Sequence, residues 1–245
     1  VTGSTLNLTQ AESINLKDYT FANQDQTDIK VESTQGTVTA DLENSSNAAD
    51  KWRSISAIAT NDKGKVALEG EGTITIDWVD AGANAVSIVS KSGSIVKAEG
   101  SGTYITAGEA DLTAGGSVTD GATGTITANK LTVKTKSDTK ADITLDNGHM
   151  VASADLRVRN SSDTDNGSGD IRFVNSQGLT IDAVSTDGDA DLTAQSGSIT
   201  DGGAAIDITA GTANLKAEVG GIGTDTNPIN TNVEFLTAEA GGDIY

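Results

Sequence analysis

The chain has 245 residues, a formal charge of −19, no cysteine, one proline and only 3% aromatic residues. The missing cysteines remove disulfides and thiol chemistry, and the acidic balance disfavours nucleic acid and anionic membrane surfaces, which select Lys/Arg patches. Aromatics are too few to dominate a core, yet hydrophobic residues still reach 36%, mostly Val, Ile, Leu and Ala, which pack well on a pleated surface.

The opening stretch, VTGSTLNLTQ, has no charged leader followed by an apolar run, so no signal peptide is expected. The chain reads as a mature piece or as a fragment of a longer repetitive protein. No apolar run approaches the roughly 18 residues that span a bilayer. Residues 36–42 (GTVTADL) set Val38, Ala40 and Leu42 on one face. Residues 47–59 (NAADKWRSISAIA) read equally as a short helix or as a loop entering a strand. Residues 72–78 (GTITIDW) set Ile74, Ile76 and Trp78 on one face and Thr73, Thr75 and Asp77 on the other. KLTVKTK (130–136), ADITLDN (141–147) and ADLRVRN (154–160) alternate in the same way. Each predicts a short strand with one buried face. Gly, Asn and Asp clusters supply the turns between them.

Three phrases recur in the same order. ADLTA stands at 110–114 and 190–194, GSVTDG at 116–121 is echoed by GSITDG at 197–202, and ITA stands at 126–128 and 208–210. The offset between copies grows by a single position at each Gly-rich joint, so the strand phrases are kept and the joints absorb the slippage. Gly-x-apolar starts fall at Gly36, Gly72, Gly93, Gly116, Gly178 and Gly197. Their spacings lie near one, two or three multiples of about 20 residues. Short strands in units of about 20, without helices, predict an all-β chain. The preferred architecture is a parallel β-helix (β-solenoid) of about 20 residues per coil, on the order of 12 coils, in one segment over residues 1–245. A twisted sandwich is the alternative. Loop insertions are expected near 43–53 and 160–170.

Residues 197–245, with the runs GSITD, DITAGT, GIGT…NPI and GDIY, resemble the repeats of filamentous-haemagglutinin-like large exoproteins, which are bacterial surface adhesins. The resemblance is strongest over 110–245. It implies a right-handed parallel β-helix, exported and displayed at the bacterial cell surface or released, with adhesive and structural rather than catalytic work. It implies as partner a receptor or glycan on a host or neighbouring cell, without membrane insertion. The amino-terminal secretion domain that opens such proteins is not found in these residues. Neither end reads as a cap, and open strand edges invite end-to-end self-association.

The chemistry-bearing residues are sparse. His149 is the one histidine, and with no partner of its kind and no cysteine it reads as a turn residue beside a strand start. No catalytic, cofactor or metal residue is assigned and no enzyme is expected. A polysaccharide-active β-helix is the alternative, along with a structural filament or matrix subunit. Glycoside hydrolysis needs paired carboxylates, and Glu69/Glu71, Asp77/Asp80 and Asp187/Asp189 are such pairs, but 35 acidic residues produce pairs by chance. The aromatics Trp52, Trp78, Tyr104 and Tyr245 are scattered rather than grouped as sugar platforms. Calcium is the one cofactor with sequence support: Asp163–Asp170 packs carboxylates among glycines, and Gly220–Thr226 echoes a calcium-binding β-roll turn. The plainer reading of both is a solvated turn. Threonines at 37, 73 and 125 suggest an outward ladder, although Thr is simply a good strand former.

Overall fold

The computed structural model describes the backbone strands Thr5–Gln10, Ile14–Asn15, Asp28–Ser33, Val38–Asp41 and Ser54–Ala59, and residues 65–70, 72–98 and 102–245 in full. Every pairing between these strands is parallel, and no described residue is helical. The architecture is a parallel β-solenoid whose coils lie about 23 residues apart. One column makes this concrete. Ile14, Val38, Val66, Val86, Ala110, Leu131, Ala154 and Ile181 each stand opposite the next. Its steps are unequal: Val66 to Val86 is a short coil and Val38 to Val66 a long one. The coils are longer and fewer than the sequence period predicts.

The interior follows from the period-2 pattern. Inward residues Leu112, Val133, Leu156 and Val184 stack directly over one another, and all are buried. Burying each such side chain contributes roughly 1.5–3 kcal/mol, and the flanking outward positions are polar except for Ala183 beside Val184. Tyr104 and Phe173 are the largest buried side chains.

The expected single face of Ile74, Ile76 and Trp78 is corrected. Ile74, Ile76 and Val79 are buried, whereas Trp78 is partly exposed. The register slips by one residue between Ile55↔Ile76 and Ser56↔Trp78. A bulge of one residue reverses which neighbours face inward, so Val79 takes the place the alternation gave to Trp78. Of residues 47–59, the part Ser54–Ala59 is a strand; the rest, like the insertion expected at 43–53, lies outside the described residues.

Glycine spacing has a steric cause. Gly72, Gly93 and Gly116 share one corner, and Gly116 N–H donates to the Gly93 carbonyl at 2.7 Å. A Cβ on Gly93 would lie 2.2 Å from the Thr73 nitrogen of the coil below. This corner continues through Ala141 to Gly169, Gly188 and Gly211, as the pairing of Val118 with Ile143, Ile143 with Ile171, Ile171 with Ala190 and Ala190 with Ala213 requires. Gly178, Gly197, Gly220 and Gly242 form a different corner. The wide gap from Gly116 to Gly178 therefore joins two corners and is not a run of three coils.

The long repeat is likewise not a coil period. Its first ADLTA lies between Val86 below and Leu131 above. Its second lies between Ile171 and Ala213. At about 23 residues per coil, the path from Ala110 to Ala190 advances about three and a half turns, which carries the phrase to another side of the coil. Each copy meets apolar rungs above and below, but the two do not occupy equivalent positions.

Candidate functional site

The outward positions near the carboxyl end build the best-defined surface feature. Strands Ile171–Asn175, Asp189–Ala194, Ile208–Ala217 and Thr231–Ala240 lie side by side in parallel register. Two outward rows cross them: Arg172–Asp191–Asn214–Thr237 and Val174–Thr193–Lys216–Glu239. The alternation that sends Phe173 and Leu192 inward forces these residues outward. Rungs repeat about every 4.8 Å, so like-placed polar groups recur along the rod axis. Between the rows runs an open cleft of about 360 Å³. Asn214 donates to Asp191 at 2.6 Å, and Lys216 lies 3.8 Å from Glu239. Arg172 reaches Asp146 at 3.3 Å but leaves its side chain largely in solvent. Arg172 and Lys216 thus face outward, each beside a carboxylate. A second hollow includes Asn84, Glu109, Lys130 and Ser153.

The insertion at 160–170 is folded down rather than projecting. Asp163 takes a positive φ of 60° and receives Lys134 at 3.0 Å, Arg159 at 3.3 Å and Lys136 at 3.7 Å. Burial alone would raise its carboxyl, but the hydrogen bond and charge of Lys134, with Lys136 and Arg159, hold it below the ordinary aspartate range. Asn160 closes the loop by accepting from the Thr164 N–H at 3.0 Å, and Lys140 pairs with Asp170 at its far end. The carboxylates weighed for calcium here are thus engaged by basic side chains or, for Asp165, by Asn160 and Thr164. In 220–226, Asp225 is exposed and Ile222 and Gly223 are buried. Among the described residues, no three acidic or histidine side chains converge as a metal cluster.

His149 is placed differently from its sequence reading. It is not a turn residue beside a strand start: it lies inside strand Ile143–Arg159 and is fully buried. Its Nδ1 accepts the Ile126 backbone N–H at 2.9 Å, so the ring proton sits on Nε2. Nε2 lies 3.1 Å from Asp120 Oδ2, but off the hydrogen-bonding direction, which leaves a close electrostatic contact. Asp120 also accepts the Asn147 N–H at 3.0 Å, and the imidazole stacks on Phe173 at 5.5 Å. Among the described residues, the buried Tyr104 hydroxyl has no hydrogen-bond partner. Burial first, and then the Asp120 charge, push its phenol above the ordinary tyrosine range. The corner is sealed from solvent, so its polar groups bear on the fold rather than on an outside ligand.

Of the other paired carboxylates, Glu71 lies outside the described residues, and Glu69, Asp77 and Asp80 are each engaged locally. Glu69 pairs with Lys91 at 3.1 Å, Asp77 lies 4.0 Å from Lys97, and Asp80 caps the Gly82 N–H at 2.8 Å. Tyr104 is core and Tyr245 is exposed, so these aromatics make no shared platform. Thr125 does join an outward threonine pair, with Thr103 at 3.2 Å, and Thr180 pairs with Thr200 at 3.1 Å. Thr73 instead accepts from the Ser94 N–H at 3.3 Å, and Thr37 lies outside the described residues. A feature that no sequence pattern marks is Asp207, a buried aspartate. Burial raises its carboxyl to about 6, with the Asn230 N–H opposing and Asp201 reinforcing the rise.

These features define a parallel β-solenoid with polar, rung-spaced outer faces and a sealed interior. No family model, curated protein or solved structure matches the chain.

Proposed function

We propose that the chain is a structural and adhesive segment of a bacterial surface or secreted adhesin, with a glycan of a neighbouring cell as its ligand. The observation that carries this reading is the pair of outward rows across four neighbouring strands, Arg172–Asp191–Asn214–Thr237 and Val174–Thr193–Lys216–Glu239. A surface that repeats every rung suits an extended, repeating polar ligand lying along the rod. Arg172 and Lys216 supply donors for its hydroxyl or acidic groups. The continuous apolar column below keeps the face straight and preorganised, which lowers the ordering cost of binding. The likeness of residues 197–245 to filamentous-haemagglutinin-like repeats supports the adhesin class and, with it, the cell surface as location.

The test is attachment of protein-coated beads to cultured cells and to a glycan array. Arg172→Glu combined with Lys216→Glu is expected to lower attachment at least tenfold while shifting the thermal midpoint by no more than about 2 °C, because both side chains are substantially exposed. Attachment unchanged by this pair overturns the assignment of the face. Absence of attachment by the parent protein to any surface tested overturns the adhesive reading itself.

A further inference from the structure

Two outward pairs show how this solenoid matches charge from rung to rung: Glu109 stands opposite Lys130, and Lys216 opposite Glu239. Strands Gly124–Lys136 and Ile143–Arg159 do the reverse. Lys134 stands opposite Arg157, and Lys136 opposite Arg159. Like charges directly opposite on neighbouring strands are destabilising, so the quartet has to be answered by anions. In a chain of 16 basic and 35 acidic residues, four cations in two adjacent pairs are the unexpected arrangement.

Arg157 is held by Asp155, with two hydrogen bonds at 2.6 and 2.9 Å. The other three cations converge on one carboxylate that no strand supplies. Lys134 Nζ lies 3.0 Å and Lys136 Nζ 3.7 Å from Asp163 Oδ2, and Arg159 Nε lies 3.3 Å from Oδ1. Two oxygens thus serve three cations, and both lysines share one of them. Among the described residues Asp163 is the one non-glycine at positive φ, a conformation disfavoured for L residues. Residues 160–166, NSSDTDN, carry no apolar side chain that could anchor the loop in the core. Hydrogen bonds and partly exposed ion pairs hold it instead, and such pairs are individually weak. A better-matched anion can therefore take the place of the carboxylate. A phosphate monoester is that anion: it brings three strong acceptor oxygens, one for each cation, and close to two negative charges at neutral pH. Lysine and arginine are its ordinary protein partners.

We propose that Lys134, Lys136 and Arg159 form a binding site for a phosphate monoester, whose place the Asp163 carboxylate occupies in the free chain. The loop is a built-in competitor, and binding exchanges its carboxylate for the phosphoryl group. No covalent bond changes. The site is separate from the cleft of Arg172 and Lys216, and it is independent of whether the solenoid is adhesive.

The experiment titrates glucose 6-phosphate into the chain by calorimetry at pH 7.5 and about 0.15 M salt, where diffuse attraction between exposed charges is screened. One saturable site is expected, with no heat from glucose. Lys136→Gln and Arg159→Gln should each weaken binding about fivefold or more. Asp163→Asn should tighten it about threefold or more, because apparent affinity scales with the fraction of the site left open. That gain is what an ion-pair network with a purely structural role does not give. Lys91→Gln, at a cation paired with Glu69, should leave binding within about twofold. Circular dichroism checks that each variant is folded at the titration temperature, and Lys136→Gln, at the longest of the three contacts, keeps the test open where Asp163→Asn alters the fold. Inorganic phosphate separates the two sources of the group: an ester bound at least as tightly supports the assignment, and phosphate bound more than about tenfold tighter overturns it in favour of the free ion. Absence of saturable heat overturns the site, as does equal binding by the parent and Lys136→Gln proteins, or weaker binding by a folded Asp163→Asn protein.

Discussion

Replacing His149 by Leu isolates what its two ring nitrogens do. Leu keeps an apolar body against Phe173 but removes the acceptor of the Ile126 N–H and the Nε2 group beside Asp120. A buried donor left without an acceptor costs roughly 1–3 kcal/mol. Weakening the surroundings of the buried Asp120 adds a similar amount, moderated because Asp120 keeps the Asn147 N–H. The expected destabilisation is therefore about 2–5 kcal/mol, which for a chain of this length lowers the midpoint by roughly 4–20 °C. His149→Gln is the internal control, since its carbonyl can accept from Ile126 and its amide can donate to Asp120; it should recover at least half of the loss. Urea unfolding followed by circular dichroism measures both. A net hydrogen bond contributes at least about 0.5 kcal/mol, so a Leu penalty smaller than that would refute the argument that hydrogen bonding, rather than shape, holds His149 in the core. Equal destabilisation by Leu and Gln would refute it as well.

Asp163→Asn tests the folded-down loop. The Asp163 carboxyl is held below its unfolded value, so its stabilisation is present above that value and disappears as pH falls through the folded one; the variant should melt lower than the parent at pH 7, and the gap should narrow as pH falls below the ordinary aspartate range. Gly93→Ala places a methyl 2.2 Å from the Thr73 nitrogen and should cost more than about 2 kcal/mol in urea unfolding. Gly82→Asn, at a positive φ with open space around it, should cost under about 1 kcal/mol in the same assay. Leu156→Ala, inside the stacked column, should lose about 2–5 kcal/mol.

The fold is legible because a solenoid makes the same local demand at every rung. Alternation in 130–136, 141–147 and 154–160 predicts strands, and Val133, Leu145 and Leu156 duly face inward. The Gly72–Gly93–Gly116 spacing is legible for a second reason: a Cβ on Gly93 or Gly116 meets the coil below, so sterics write the period into the chain. What stays hidden depends on register. Trp78 leaves its expected face because one slipped residue reverses parity, and nothing in the GTITIDW alternation marks the slip. His149 sits in DNGHM, a turn-rich context, yet Gly148 at φ 73° lets the chain re-enter the core at the next residue. The outward rows of the cleft leave no trace in the sequence because their members come from different strands and share no motif. Asp207 is one acid among 35; only burial singles it out.

The repeat carries the last point. Had ADLTA-GS-x-TDG encoded a coil, its copies would be separated by a whole number of turns. They are not, and the phrase works on two different sides of the rod. It therefore encodes a smaller unit: an inward-alternating strand, a corner tight enough to require glycine, and an aspartate at the turn. That unit fits any side offering an apolar rung below and backbone acceptors at the corner, which is why its strand part is preserved while its joints drift. The aspartate is the part that must be answered locally, and the two copies answer it with different chemistry, an imidazole and the Asn147 N–H at Asp120 and the Gly203 N–H at Asp201. Specialisation in this solenoid thus enters at the corners, where the packing rules that fix the strands leave a polar group to be matched.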